Sequence, residues 1–265
     1  MRILLYLLPV CYFMHANYGS ENPAQPYSYS FKTYRTVPAI RFFRLGDQLI
    51  TLEKYARPEA ASYVLVSLHS NELAAIRTAM NFAEARNAVF YRLMNSERRN
   101  VEADLLDKKI TFDPNCIFTT TGRKQNLKMN HCFDKPIDEQ VFQLSRFIIR
   151  DMSNEKAIVS VHSSDDHSIL EYKKGGALHK QAKEICQQPS MDAGDFMVTN
   201  EEYIYRALKS KGFNVVLQNK AKAKDDGSLG IFCSRAGKPY VGIETRAGHT
   251  EEELRMLDAV DRIFE

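Results

Sequence analysis

The sequence predicts an α/β fold: a single three-layer domain with a mixed, largely parallel central sheet flanked by helices. Three observations predict it. Compact apolar runs of strand length, YVLVSLH at 63–69 and AIVSVH at 157–162, have the pattern of central strands covered on both faces. Segments with helical spacing follow such runs. No linker or internal repeat divides the chain, so strands and helices alternate within one unit.

Taken in order, residues 21–40 read as an irregular lead-in with Pro23, Pro26 and Pro38, and regular structure begins near Arg41. An Arg57-Pro58-Glu59 turn precedes the first buried strand. Asn71 then opens a helix in which Leu73, Ile76, Ala79, Met80 and Ala83 share a face. AVFYRLM and ITF, between 88 and 112, predict short strands. Pro136 suits a first helical turn, and Val141, Leu144 and Ile148 carry that helix to about Met152. ALHKQAKEIC predicts a helix near 177–186. Asn200 is expected to cap EEYIYRALKSK, which Gly212 ends, and NVVLQ follows as a strand. SLGIFCSR and KPYVGIETR, on either side of Ala236-Gly237, read as two strands joined by a tight turn. Thr250 and Glu253 have capping-box spacing before a terminal helix.

Composition bounds the function. The 265 residues are 44% hydrophobic and 26% charged, which is globular and argues against a disordered or fibrous chain. A net charge of +3 gives no sign of a nucleic-acid scaffold or polybasic membrane binder, and no nucleic-acid partner is expected. The first 20 residues read as a secretory signal peptide: Arg2, an apolar run from Ile3 to Met14 and small residues Ala16, Gly19 and Ser20. That run is shorter than the roughly 20 residues of a membrane span, and no later segment is apolar enough for one. The expected location is exported, periplasmic or secreted, with no stable transmembrane domain once the signal is removed. Cys116, Cys132, Cys186 and Cys233 remain, with no CxxC spacing. A buried or structural thiol is the simpler reading for each.

The sharpest motif is His69-Ser70-Asn71-Glu72. It sits where a buried strand turns into a helix, outside the carboxyl end of the sheet where α/β sites form. HxxE alone recurs by chance. His162, ending the second buried strand, gives it weight: two histidines and one carboxylate leave a coordination position open, the catalytic arrangement for zinc. Ser160, Ser163 and Asp165 are candidates to hold an imidazole tautomer. Glu244, at a strand end in YVGIETRAG, suits a positioned base.

The blocks LHSNE (68–72), FDPNCIFTTTGR (112–123), VSVHSSD (159–165) and YVGIETRAGH (240–249), in that order, resemble the zinc carboxypeptidase superfamily. They look closest to its succinylglutamate desuccinylase/aspartoacylase-like branch. The resemblance spans about Val64 to Leu257 and implies a zinc-peptidase-like catalytic domain over 41–265. It makes His69, Glu72 and His162 ligands of one zinc ion, Glu244 the general base, and Arg99, rather than its neighbour Arg98, the group that stabilises the oxyanion. Asp113-Pro114-Asn115 resembles the loop that grips a substrate carboxylate, with Asn115 orienting the substrate. Where that loop usually continues with arginine, this chain has Cys116, so Arg123 or Arg246 is expected to compensate.

The implied reaction is zinc-dependent hydrolysis of a peptide or amide C–N bond, as a carboxypeptidase or amidase on peptide-like substrates such as cell-wall peptides. The alternatives are an acylamino-acid deacylase, a non-catalytic binding protein on the same fold, and a structural protein without metal. Oligomeric state does not follow from the sequence.

Overall fold

The computed structural model describes residues 37–56, 62–86, 88–152 and 155–265. The signal peptide, almost all of the lead-in and the Arg57-Pro58-Glu59 turn lie outside the described residues.

Two antiparallel strands come first, β1 (Ala39–Leu45) and β2 (Gln48–Tyr55), turning at Gly46. The first buried run is β3 (Val64–Ser67), every residue of which is buried. It leads into α1 (Leu73–Arg86) and then β4 (Val89–Met94). A separate hairpin follows, β5 (Val101–Leu105) and β6 (Lys108–Phe112). Its two turn residues, Leu106 and Asp107, both take positive φ, at 52° and 60°, a conformation that glycine or asparagine adopts more readily. Helices α2 (Thr120–Met129) and α3 (Lys135–Met152) lead to β7 (Ile158–Ser163), the second buried run. The remainder is β8 (Ala182–Cys186), β9 (Phe196–Thr199), α4 (Glu202–Ser210), β10 (Val215–Gln218), α5 (Leu229–Ala236), β11 (Tyr240–Thr245) and α6 (Thr250–Phe264).

Nine strands form the central sheet in the order β1-β2-β4-β3-β7-β11-β9-β10-β8. The middle four, β4-β3-β7-β11, run parallel, while antiparallel pairs occur toward both margins. Parallel strands need both faces covered, which explains the continuous apolar runs of β3 and β7. Alternation splits each strand between two cores. Leu65, Val159, Val161 and Ile243 pack with α1, α4 and α6. Val64, Val66 and Ile158 pack on the other face with Leu127, Val141, Leu144 and Leu229 from α2, α3 and α5. The architecture is thus a mixed sheet between two helical layers, as the sequence predicts.

Four local expectations are corrected. LGIFCSRA is a helix, not a strand: Ser228 accepts a hydrogen bond from the Ile231 N–H at its start, and left-handed Gly237 ends it. The predicted helix at 177–186 is a short 3-10 turn, His179–Gln181, followed by the edge strand β8. Asn200 does not cap α4, whose N-cap is Glu201. Its side chain accepts from the Tyr240 N–H and donates to the Lys238 carbonyl, tying the α4 entry to β11. Thr250 lies inside α6 behind His249, which makes no side-chain cap bond, so the capping box does not form.

The four cysteines Cys116, Cys132, Cys186 and Cys233 are free thiols. Among the described residues, no helix is long and apolar enough to cross a membrane.

Candidate metal centre

Parallel β3 and β7 are hydrogen-bonded neighbours, with Val66 opposite Ser160. Their carboxyl ends therefore deliver His69 and His162 to the same edge of the sheet. Glu72 lies in the turn entering α1, three residues after His69, and all three side chains are buried.

Their donor atoms converge. His69 Nδ1 lies 3.2 Å from His162 Nδ1 and 3.0 Å from Glu72 Oε1, and His162 Nδ1 lies 3.2 Å from Glu72 Oε2. Donors about 2.0–2.1 Å from a tetrahedral zinc sit about 3.3 Å apart, so the spacing fits such an ion. Among the described residues this is the one group of three His, Cys, Asp or Glu side chains found to converge in this way. Electrostatics agree with the geometry. Burial alone would raise the Glu72 pKa, but the His162 and His69 rings outweigh it and hold the carboxylate well below its usual range. Burial would lower His162, yet Glu244 and Glu72 push it up to about 9. The centre favours positive charge, which a divalent cation supplies.

The nitrogen that faces away from the cluster on His69 is held by Asp113, whose Oδ1 lies 2.8 Å from Nε2. A carboxylate there fixes the ring orientation and leaves Nδ1 free to ligate. Asp113 also accepts from the Asn115 N–H at 2.7 Å, so one side chain ties the Pro114–Cys116 turn to the ligand. This orienting role was not apparent from the sequence, where Asp113 belongs to a substrate loop. None of the three candidates takes it: Ser160 bonds the Tyr240 hydroxyl, Ser163 bonds Glu72 through its backbone and the Arg246 carbonyl through its hydroxyl, and Asp165 accepts from the Ala247 N–H. His162 Nε2 is buried and has no hydrogen-bond partner among the described residues.

Glu244 stands directly opposite His162 in the β7–β11 register. It is half-buried, and among the described residues its carboxylate has no hydrogen-bond or ion-pair partner. Across β11 it faces Phe196 of β9, and the Tyr172 ring packs edge-on to Phe196 at 6.0 Å. Burial, then Glu244 and Asp226, push the Tyr172 hydroxyl upward, so it stays protonated beside the cleft. Tyr172 was not singled out in the sequence, because no motif surrounds it.

The arginines separate clearly. Arg99 points into the centre, with Nη1 2.8 Å from Glu72 Oε1 and Nη2 3.4 Å from Asp113 Oδ2. Arg98 turns outward to Glu102. Arg123 is buried and gives its Nε to Asp138 at 2.7 Å while stacking on Phe142, so it joins α2 to α3 instead of meeting a ligand. Arg246 spans two loops, donating from Nε to Asp192 at 3.1 Å and from Nη1 to the Asp165 carbonyl at 2.7 Å. The Nε of each is therefore held by an aspartate, which sets where the remaining guanidinium N–H groups of Arg123 and Arg246 point.

Asn115 is partly engaged as well, since its Oδ1 accepts from the Leu229 N–H at 3.2 Å. Its amide N–H groups have no partner among the described residues. The turn it holds is close-packed: a Cβ on Gly122 would fall 1.9 Å from the Gly227 nitrogen, so only glycine permits this approach.

Beyond Glu244, the chain enters α6 through His249, whose Nδ1 lies 2.8 Å from Asp195 Oδ2, while the other oxygen of Asp195 accepts from the Arg246 N–H. The Asp195 contact raises the His249 pKa above its ordinary value. Its contribution is therefore complete below the ordinary histidine pKa of about 6.5 and is lost as pH rises through the raised value. In an NMR titration, His249 should titrate above 6.5 in the wild type and return toward it in Asp195→Asn. Identical midpoints would mean the contact does not persist in solution.

No family model matches this sequence, and no curated protein matches it. Solved structures do. The chain is similar to thrombin activatable fibrinolysis inhibitor, with a TM-score of 0.51, 12% identity, and 85% of this chain and 68% of that one covered. It also matches the murein-tripeptide amidase MpaA from Escherichia coli O157, with a TM-score of 0.42, 12% identity, and 81% and 86% covered. At these identities the likeness is one of fold. On that shared fold the layered sheet brings together His69, Glu72 and His162, a group that could hold a metal ion.

Proposed function

We propose that the protein is a zinc-dependent hydrolase that cleaves a peptide or amide C–N bond, acting as a carboxypeptidase or amidase on peptide-like substrates. The observation that carries this reading is the convergence of His69, Glu72 and His162 beside Glu244, whose carboxylate has no partner among the described residues. Zinc bound by the triad would supply a Lewis acid and lower the pKa of a water molecule. Glu244 accepts the proton of the attacking water and returns it to the leaving amine. Arg99, held at the centre by Glu72, stabilises the developing negative charge, and Asp113 keeps His69 in its ligating orientation. Asn115 orients a polar group of the substrate through its free amide N–H groups.

The leader-like N-terminus supports an exported protein, and export makes peptides, including those of a cell wall, more natural substrates than cytoplasmic acyl-amino acids. Deacylation of acylated amino acids, the activity of the desuccinylase/aspartoacylase-like branch, is the second reading. Cys116 and the engaged Arg123 and Arg246 favour a third, a binding protein without turnover. One experiment separates them: zinc-loaded full-length protein assayed against murein peptides and small acyl-amino acids. Release of an amine from murein peptides is expected. Turnover of acyl-amino acids alone selects the deacylase, and no turnover of either class, with zinc bound, rejects both enzymatic readings.

A further inference from the structure

Away from the metal centre, the outer side of α3 borders a groove of about 510 Å³. Five phenylalanines line it: Phe43 from β1, Phe142 and Phe147 from α3, Phe232 from α5, and Phe118 from the loop before α2. Their rings pack in pairs, with centroids 5.5 Å apart for Phe43–Phe147 and 6.4 Å for Phe118–Phe232. The volume lies in the range of small-molecule sites, and the floor is aromatic.

Among the described residues, the charged side chains that line the groove are Arg146 and Arg150, one turn apart on α3. Arg146 is exposed, lies over Phe142 at 5.8 Å, and has no carboxylate partner among the described residues. Arg123 approaches the same ring at 4.9 Å but is neutralised by Asp138. Arg41 covers Phe147 at 4.4 Å. Two of the five rings, Phe142 and Phe147, thus already carry guanidinium groups, and a cationic ligand at them would meet repulsion. An apolar body with a negative head satisfies both halves of the groove.

We propose that this groove is a binding site for a single-chain amphiphile with a carboxylate head, its chain on the phenylalanines and its head at Arg146. The site is distinct from the metal centre yet joined to its loop. The Phe118 N–H donates to the Gly227 carbonyl, and Leu229, which begins the helix bearing Phe232, is held by Asn115.

Calorimetric titration of the full-length protein with dodecanoate and with dodecyltrimethylammonium, both below their micellar concentrations, tests the proposal. Dodecanoate should saturate at one site and bind at least tenfold more tightly than the cation. Arg146→Glu should weaken dodecanoate by at least tenfold with an unchanged melting temperature, and Arg146→Lys should retain most of the affinity. Equal affinity for the two head groups, or dodecanoate binding indifferent to Arg146→Glu, would overturn it. So would sedimentation showing a dimer that Arg146→Glu dissociates, because a second copy would then be the occupant.

Discussion

Replacing Glu244 with glutamine is expected to lower turnover by about 10²–10⁴-fold while leaving bound zinc unchanged. The substitution preserves size and hydrogen bonding but removes the capacity to accept a proton. Glu244 is well placed to show so clean an effect, because its carboxylate holds no other residue in place among the described residues. Its neighbour across the strand pair is a candidate ligand, His162, so position is set by backbone register and not by a side-chain network. Metal content and turnover measured on the same preparation decide the matter. Turnover within a few fold of wild type would remove Glu244 from the chemistry. Loss of zinc together with turnover would make Glu244 part of the coordination shell instead.

The second large effect concerns Arg123. Arg123→Met should destabilise the fold by about 3–5 kcal/mol, the usual cost of leaving one member of a buried ion pair uncompensated. The stranded group is Asp138, and both side chains are largely shielded from solvent. For a domain of this size the melting temperature should fall by roughly 10 °C. Adding Asp138→Leu should restore much of the loss, because a matched apolar pair carries no desolvation penalty. The Michaelis constant should not move in the folded fraction. A raised Michaelis constant with an unchanged melting temperature would return Arg123 to the substrate-binding role suggested by its place in FDPNCIFTTTGR.

These two residues mark where the sequence is readable and where it stops. His69 and His162 are legible because each ends a run too apolar for anything but a central strand, and parallel strands place their carboxyl ends on one edge. Arg123 belongs to the same motif block as Asn115, yet its partner Asp138 lies one helix further on. Nothing local announces a pair that forms only when α2 packs on α3. Asp113 is similar: its contact with His69 joins residues 44 apart, so its orienting role depends on tertiary geometry. The misread elements have a different cause. GIFC is a short apolar stretch and KEIC a short half-charged one, and the periodicity of each fits helix and strand alike. In one, Ser228 and Gly237 supply the caps of α5. In the other, pairing of β8 with β10 along the sheet edge decides for strand.

The proposed chemistry depends on His69, Glu72 and His162 holding one ion at the strand ends. Plasma emission spectrometry on purified full-length protein, beside His69→Ala and His162→Ala, tests this most directly. Wild type should carry about one zinc per chain, and each variant should lose it while keeping its far-UV circular dichroism spectrum. Wild type without stoichiometric metal after reconstitution with zinc, or both folded variants retaining it, would contradict the account.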